Sequence, residues 1–177
     1  MIIYIRHGDD EERHPVYRND HDLTEEGRED ARRLGKKLIR KYGKPHTIYC
    51  SPYLRTRATA TAMTETLEGK GKGKIKYEVG LSRYTGRKGK SEPVLHRDTE
   101  ACDPPLDEDH EQCRNRIRKH IRSLERKGHL SSRRVIWCIT HALVLKHVGN
   151  YFRVRTPKHI PFLHWFRVRE TGSDGSR

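Results

Sequence analysis

Long apolar runs are missing from this chain. None approaches the ~20 consecutive apolar residues that a membrane-spanning helix needs. The opening Ile2-Ile3-Tyr4-Ile5 is too short for a secretory h-region. Apolar residues make up 32% of the 177 and aromatic residues 7%, so the core is expected to be lean and gathered into a few strands. Cysteine is sparse: Cys50, Cys102, Cys113 and Cys138 lack the spacing of a disulfide framework. Cys50 and Cys138 fall inside apolar runs, where a free thiol behaves as a small apolar side chain. These absences set the expectation of a cytoplasmic, reduced protein with no membrane segment. Positive charge is what the chain has in excess, with 38 Lys+Arg against 24 Asp+Glu and a formal net charge of +14. Such a surface attracts polyanions, phosphorylated substrates and nucleic acid among them; a solvated basic face serving solubility is the plain alternative.

The first apolar run ends abruptly in Arg6-His7-Gly8. That pattern describes a buried strand delivering a guanidinium and an imidazole to its C-terminal lip, with Gly8 opening the turn. Ligands of open α/β sheets bind outside the carboxyl ends of the strands. The guanidinium offers a planar fork of donors to a phosphate, and the imidazole can attack phosphorus. Two later apolar runs end in similar fashion: Ile48-Tyr49-Cys50 in Ser51-Pro52, and Val135-Ile136-Trp137-Cys138-Ile139 in Thr140-His141.

Between these runs the periodicity alternates. Thr24 is placed to cap a helix carrying Glu25 and Glu26 in its first turn, with Ala31, Leu34, Leu38 and Tyr42 on one face and Gly43 at its end. A strand is expected over 46–50, a helix from Pro52 to about Leu67, a basic Gly-Lys loop over 69–74 and a short strand over 75–79. Residues 82–106 show no period. From 107 to 127 the stripe Cys113, Ile117, Ile121, Leu124 predicts an amphipathic helix. A strand over 134–140, a helix over 142–151 and a strand over 160–168 complete the chain. This alternation predicts a three-layer α/β sandwich with a central, mostly parallel sheet. One domain over 1–169 is expected, followed by a flexible tail over 170–177.

Four segments in this order, Arg6-His7-Gly8, Leu23-Thr24-x-x-Gly27, Ser51-Pro52-x-x-Arg55-x-x-x-Thr59-Ala60 and His141, resemble the histidine phosphatase superfamily, the phosphoglycerate mutase-like fold. The resemblance implies the same α/β sandwich and a phosphate monoester hydrolase that works without cofactor or metal. In it His7 is the nucleophile that becomes phosphorylated, Arg6 and Arg55 hold phosphate oxygens, and His141 donates to the remaining one. Gly8, Arg13 and Arg83 are then the candidate substrate-binding positions. Arg57, two residues from Arg55, points elsewhere on the helix and is expected to lie outside this set.

Three departures from the family pattern matter. Arg13 stands where many members place a phosphate-binding asparagine, so it is either an anion ligand or a solvated loop residue. Arg83, in Leu81-Ser82-Arg83, occupies the position of the family's acidic proton donor. Ala142 follows the second histidine where one branch has an aspartate. Glu78, Asp98, Glu100, Asp103, Asp9 and Asp10 are the carboxylates left to serve as the acid. An enzyme without one is expected to cleave aryl phosphates, whose phenolate leaves readily, and to be slow on alkyl phosphates.

Two further patterns carry little. Gly86-Arg87-Lys88-Gly89-Lys90-Ser91 lacks the first glycine of a P-loop, since Tyr84 stands there, and His96, Cys102, His110 and Cys113 lack the paired spacing of a zinc site. The competing class is nucleic-acid binding. Lys70, Lys72, Lys74, Arg87, Lys88 and Lys90 cluster in glycine-rich stretches, while Arg114, Arg116, Arg118, Lys119, Arg122, Arg126 and Lys127 crowd one helix. With few aromatic residues among them, such contact would be non-specific and salt-sensitive, either steering a phosphorylated substrate or serving a catalytically degenerate relative.

Overall fold

The computed structural model describes residues 1–10, 21–65, 67, 74–84 and 108–169. Arg13, the two Gly-Lys stretches at 69–73 and 86–90, the carboxylates Asp98, Glu100 and Asp103, and the expected tail lie outside them.

Among the described residues five strands form one sheet: β1 (Ile2–Arg6), β2 (Thr47–Cys50), β3 (Lys74–Tyr77), β4 (Ile136–Thr140) and β5 (Trp165–Val168). The order is β3-β2-β4-β1-β5, parallel throughout except for β5, which runs antiparallel to β1. Among the described residues four helices cover it: α1 (Glu25–Tyr42), α2 (Leu54–Thr64), α3 (His110–Arg126) and α4 (Ala142–Tyr151). The strands read as near-continuous apolar runs because both faces of the sheet are covered. Ile3, Ile5, Ile48, Cys50, Trp137 and Ile139 pack under α1 and α2. Ile2, Tyr4, Tyr49, Ile136 and Cys138 alternate with them and pack under α3 and α4. The three-layer sandwich is therefore present, and Cys50 and Cys138 are buried free thiols inside it.

Local chemistry explains the boundaries. The Thr24 side chain accepts the amide of Gly27, and α1 ends at Gly43, where φ is +88°. Asp109 and Gln112 form a reciprocal capping box that starts α3 three residues after the expected point. α2 begins at Leu54 rather than Pro52, because the Thr56 hydroxyl donates to the carbonyls of Ser51 and Tyr53 and holds that turn outside the helix. β3 stops at Tyr77, where Glu78 caps a single 3-10 turn over Val79–Leu81. β5 is shorter than its apolar alternation suggested. Residues 160–164 fold instead as a turn, with Leu163 at φ +55° and its amide donating to the His7 carbonyl.

α1 and α2 meet closely at Gly35, where an added Cβ would lie 2.2 Å from the Met63 carbonyl oxygen. Gly35→Ala is therefore expected to cost about 1–3 kcal/mol, since backbone must move. Thr24→Ala should cost about 1 kcal/mol through its lost cap. Urea unfolding of each variant against wild type checks both; an unchanged midpoint for Gly35→Ala would contradict this account of the α1–α2 contact.

Candidate active site

Register brings the three motif-bearing strand ends together. Arg6 pairs with Thr140 across β1 and β4, and Cys50 pairs with Ile139 across β2 and β4. The pattern continues one residue further: the His7 amide donates to the Thr140 carbonyl at 3.0 Å and the Ser51 amide to the Ile139 carbonyl at 3.0 Å. His7, Ser51 and His141 thus emerge side by side at one edge. The chain leaves β1 for α1 on one face and leaves β4 for α4 on the other. The crevice where such connections diverge is where ligands of open α/β sheets bind.

The imidazoles of His7 and His141 lie 5.3 Å apart between centroids, each about 5% exposed. His7 Nδ1 is 2.8 Å from the Gly8 carbonyl oxygen. A carbonyl only accepts, so Nδ1 carries the proton and Nε2 keeps its lone pair. His141 Nε2 lies 3.0 Å from Ser51 Oγ, and its Nδ1 faces the Arg55 guanidinium at 3.5 Å. Burial first, then the charge of Arg55, holds both imidazoles well below the usual histidine range. Arg6 and Arg83 push His7 the same way, against the Gly8 hydrogen bond, while His7 and Arg83 act on His141.

Two guanidiniums flank the pair. Arg55, on the first turn of α2, is 4% exposed and stacks over Tyr53 at 5.1 Å. Its Nε lies 3.6 Å from an Asp10 carboxylate oxygen. Arg6 donates to the Ile160 carbonyl and lies 4.0 Å over the Phe162 ring. Its Nε–H is buried and has no hydrogen-bond partner among the described residues. A buried donor left in that state costs free energy that an anion in the crevice would recover.

The glycines explain how the loop after β1 closes. A Cβ on Gly27 would meet the Asp9 carbonyl oxygen at 2.3 Å, and one on Gly8 would meet the Gly27 carbonyl at 2.9 Å. The first turn of α1 therefore sits directly against the residues that follow His7. The Thr24 amide donates to the Asp9 carbonyl at 3.1 Å, and the Gly8 amide donates to the Thr59 hydroxyl at 3.0 Å. Gly8 thus shapes the loop through backbone contacts, and the hydroxyl of Thr59 ties that loop to α2.

His7, Arg6, Arg55 and His141 are brought together, and Arg83 lies close enough for its charge to act on both histidines. Arg57 stacks on Tyr77 at 5.5 Å and belongs to another face of α2. Glu78 is turned away: its carboxylate accepts the Gly80 amide and pairs with the buried His120 at 3.8 Å. Asp10 is half-buried, and that burial raises its pKa although Arg55 opposes the shift. Arg116 does not belong with the exposed basic residues of α3, because it forms a buried ion pair with Glu108. Of the zinc candidates, His110 stacks on Tyr84 and Cys113 lies in the core beside Arg116. Sequence reasoning missed Phe162. Its ring stands 5.6 Å from His7 and supports Arg6, yet a lone aromatic in a proline-flanked segment carries no signal of its own.

A tetrahedral oxyanion would add negative charge beside Arg6 and Arg55, and its presence would favour the imidazolium form of His141. Binding of tungstate, a dianion that does not itself titrate near pH 7.5, is therefore expected to draw a proton onto the protein. Calorimetry in two buffers of different ionisation enthalpy reads this directly, and binding without proton uptake would contradict it. The same burial carries a sign for stability. The unfolded chain takes up histidine protons below pH ~6.5, so the free protein loses stability as pH falls through that range.

The model of the histidine phosphatase superfamily (branch 1) matches residues 2–169. Solved structures agree in fold. The ecdysone phosphate phosphatase of Bombix mori in complex with tungstate is 19% identical with a TM-score of 0.63, covering 93% of this chain and 86% of that one. A mycobacterial glucosyl-3-phosphoglycerate phosphatase complexed with VO3 is 15% identical with a TM-score of 0.65, covering 93% and 88%. The protein histidine phosphatase SixA complexed with tungstate is 16% identical with a TM-score of 0.58, covering 92% and 83%. At such identities the likeness speaks for the fold alone, and no curated protein matches the chain at a significant level. The family model reaches from the first residue of β1 past the end of β5 and takes in His7 and His141, so the chain belongs to the histidine phosphatase superfamily, branch 1.

Proposed function

We propose that this protein is a phosphatase that hydrolyses phosphate monoesters through a phosphohistidine on His7, without a metal ion. The observation that carries this reading is the state of His7: a buried imidazole, neutral, with Nδ1 tied to the Gly8 carbonyl and Nε2 bearing a free lone pair. A general base is then unnecessary, because the nucleophile is already unprotonated at neutral pH. Arg6 and Arg55 neutralise the phosphate dianion. His141 takes a charged form as the oxyanion settles against it and stabilises the negative oxygens of the transition state. Family membership and the phosphatase names of the structural relatives support hydrolysis. The tungstate and VO3 bound in those relatives are tetrahedral or trigonal oxyanions of the kind this cluster suits.

Arg13 would serve as a further phosphate ligand from outside the described residues. The exposed basic face of α3 (Arg114, Arg118, Lys119, Arg122, Arg126 and Lys127) would steer anionic substrates towards the sheet edge.

Hydrolysis of 4-nitrophenyl phosphate in EDTA tests the reading. Wild type is expected to turn over with the chelator present, His7→Ala to show none, and Arg55→Ala to lose about 10²–10³-fold in kcat. A folded wild type with no turnover, or one restored only by added divalent metal, would overturn it. The alternative would then stand: a catalytically degenerate relative that binds phosphorylated ligands or nucleic acid, recognisable by a log affinity that falls linearly with log salt.

A further inference from the structure

One bulky apolar side chain stands at the rim of the crevice without a place in the core. In the turn before β5, Ile160 packs into the α3–α4 layer and Leu163 against the α1–α2 layer. Phe162, between them, belongs to neither cluster and is 39% exposed. Its ring centroid lies 5.6 Å from that of the His7 imidazole, and the Arg6 guanidinium lies 4.0 Å over it. A lone exposed apolar residue is ordinary on a protein surface. Phe162 differs in its place and in how firmly it is held.

The backbone on both sides of Phe162 is tied to the end of β1. The Ile160 carbonyl accepts from the Arg6 guanidinium, and the Leu163 amide donates to the His7 carbonyl at 3.2 Å. The Arg6 amide donates to the His164 carbonyl at 2.9 Å, and within the turn the His164 amide donates to the Pro161 carbonyl at 3.2 Å. Leu163 takes φ +55°, a left-handed conformation uncommon for leucine and kept where surrounding contacts enforce it. Drawing the ring back into the core would release contacts to the strand end that carries Arg6 and His7. The cation–π contact with Arg6 uses one face of the ring, yet more than a third of the residue still meets solvent.

Resting on the phosphatase reading above, we infer that Phe162 forms a subsite for the organic part of the substrate, and that the substrates are phosphate esters of phenols, with an aromatic ring directly on the ester oxygen. An anion held by Arg6 beside His7 lies next to the Phe162 ring, so a group attached close to phosphorus comes against it. A flat aryl group buries apolar surface there and can adopt the offset or edge-to-face packing that aromatic pairs prefer. A nucleotide base, set off from its phosphate by a ribose, would overshoot the ring. The short polar side chain of phosphoserine has little to bury against it. Such recognition acts on binding and is independent of which group protonates the leaving oxygen.

Calorimetry with non-hydrolysable probes tests this. Benzylphosphonate carries the ring, methylphosphonate keeps the anion without it, and tungstate is an oxyanion alone. Wild type is expected to bind benzylphosphonate about tenfold more tightly than methylphosphonate. Phe162→Ala should cut that preference to about twofold or less, while Phe162→Tyr keeps it. A wild type without the preference would overturn the inference, as would a Phe162→Ala variant that retains it. So would a Phe162→Ala variant that weakens all three probes by the same factor, which marks the ring as a support for Arg6 alone. Failure of the phosphatase reading looks different: benzylphosphonate is still preferred, but 4-nitrophenyl phosphate is not hydrolysed or His7→Ala remains active. A folded protein that binds none of the three lacks the anion site, which overturns both.

Discussion

The parallel register of β2, β4 and β1 is the constraint on which the rest depends. It sets three strand ends level, so that the residues after Cys50, Thr140 and Arg6 share one edge. A slip of one residue in any pair would carry every side chain of that strand to the opposite core layer and move its motif residue out of line with the others. Burial on both faces prevents that slip: Ile3 and Ile5 pack on one side and Ile2 and Tyr4 on the other, all but excluded from solvent. The geometry of the candidate site is therefore a by-product of core packing. The loops add only the closures, through Gly8 against Gly27 and the cap at Thr24.

That edge then concentrates positive charge where water is scarce. Two neutral imidazoles, kept neutral by burial and by Arg55, stand beside Arg6, whose buried Nε–H has no hydrogen-bond partner among the described residues. The arrangement is poised for an oxyanion: its arrival relieves repulsion between cations, satisfies Arg6 Nε–H and favours protonation of His141. Preorganised donors of this kind stabilise a transition state without reorganising at the moment of reaction. The exposed lysines and arginines of α3 extend the same sign over the surface at longer range.

Much of this was legible in the sequence, for physical reasons that apply residue by residue. Strands buried on both faces appear as uninterrupted apolar runs, so His7, Ser51 and His141 could be placed at strand ends from their positions alone. Thr24, Gly43 and the stripe from Cys113 to Leu124 mark helices because capping and one-sided burial leave local signatures. What the residues hid were the turns and the long-range partners. Pro52 suited a helix start, but two hydroxyl bonds from Thr56 delayed it to Leu54. The alternation over 160–168 suited a strand, but its first half turns to support Arg6 and His7. Arg116 looked like another exposed cation until Glu108, eight residues away, neutralised it. Such pairings depend on what the fold brings close, and no local pattern reports them.

The central claim is a covalent intermediate on His7, and the stereochemical course at phosphorus tests it most directly. A phosphate monoester made chiral with oxygen isotopes and sulfur would be hydrolysed and the configuration of the product determined. Transfer to His7 and then to water is two in-line displacements, so the account predicts overall retention. Inversion would show direct attack by water, and His7 would then be a ligand or general base rather than the nucleophile.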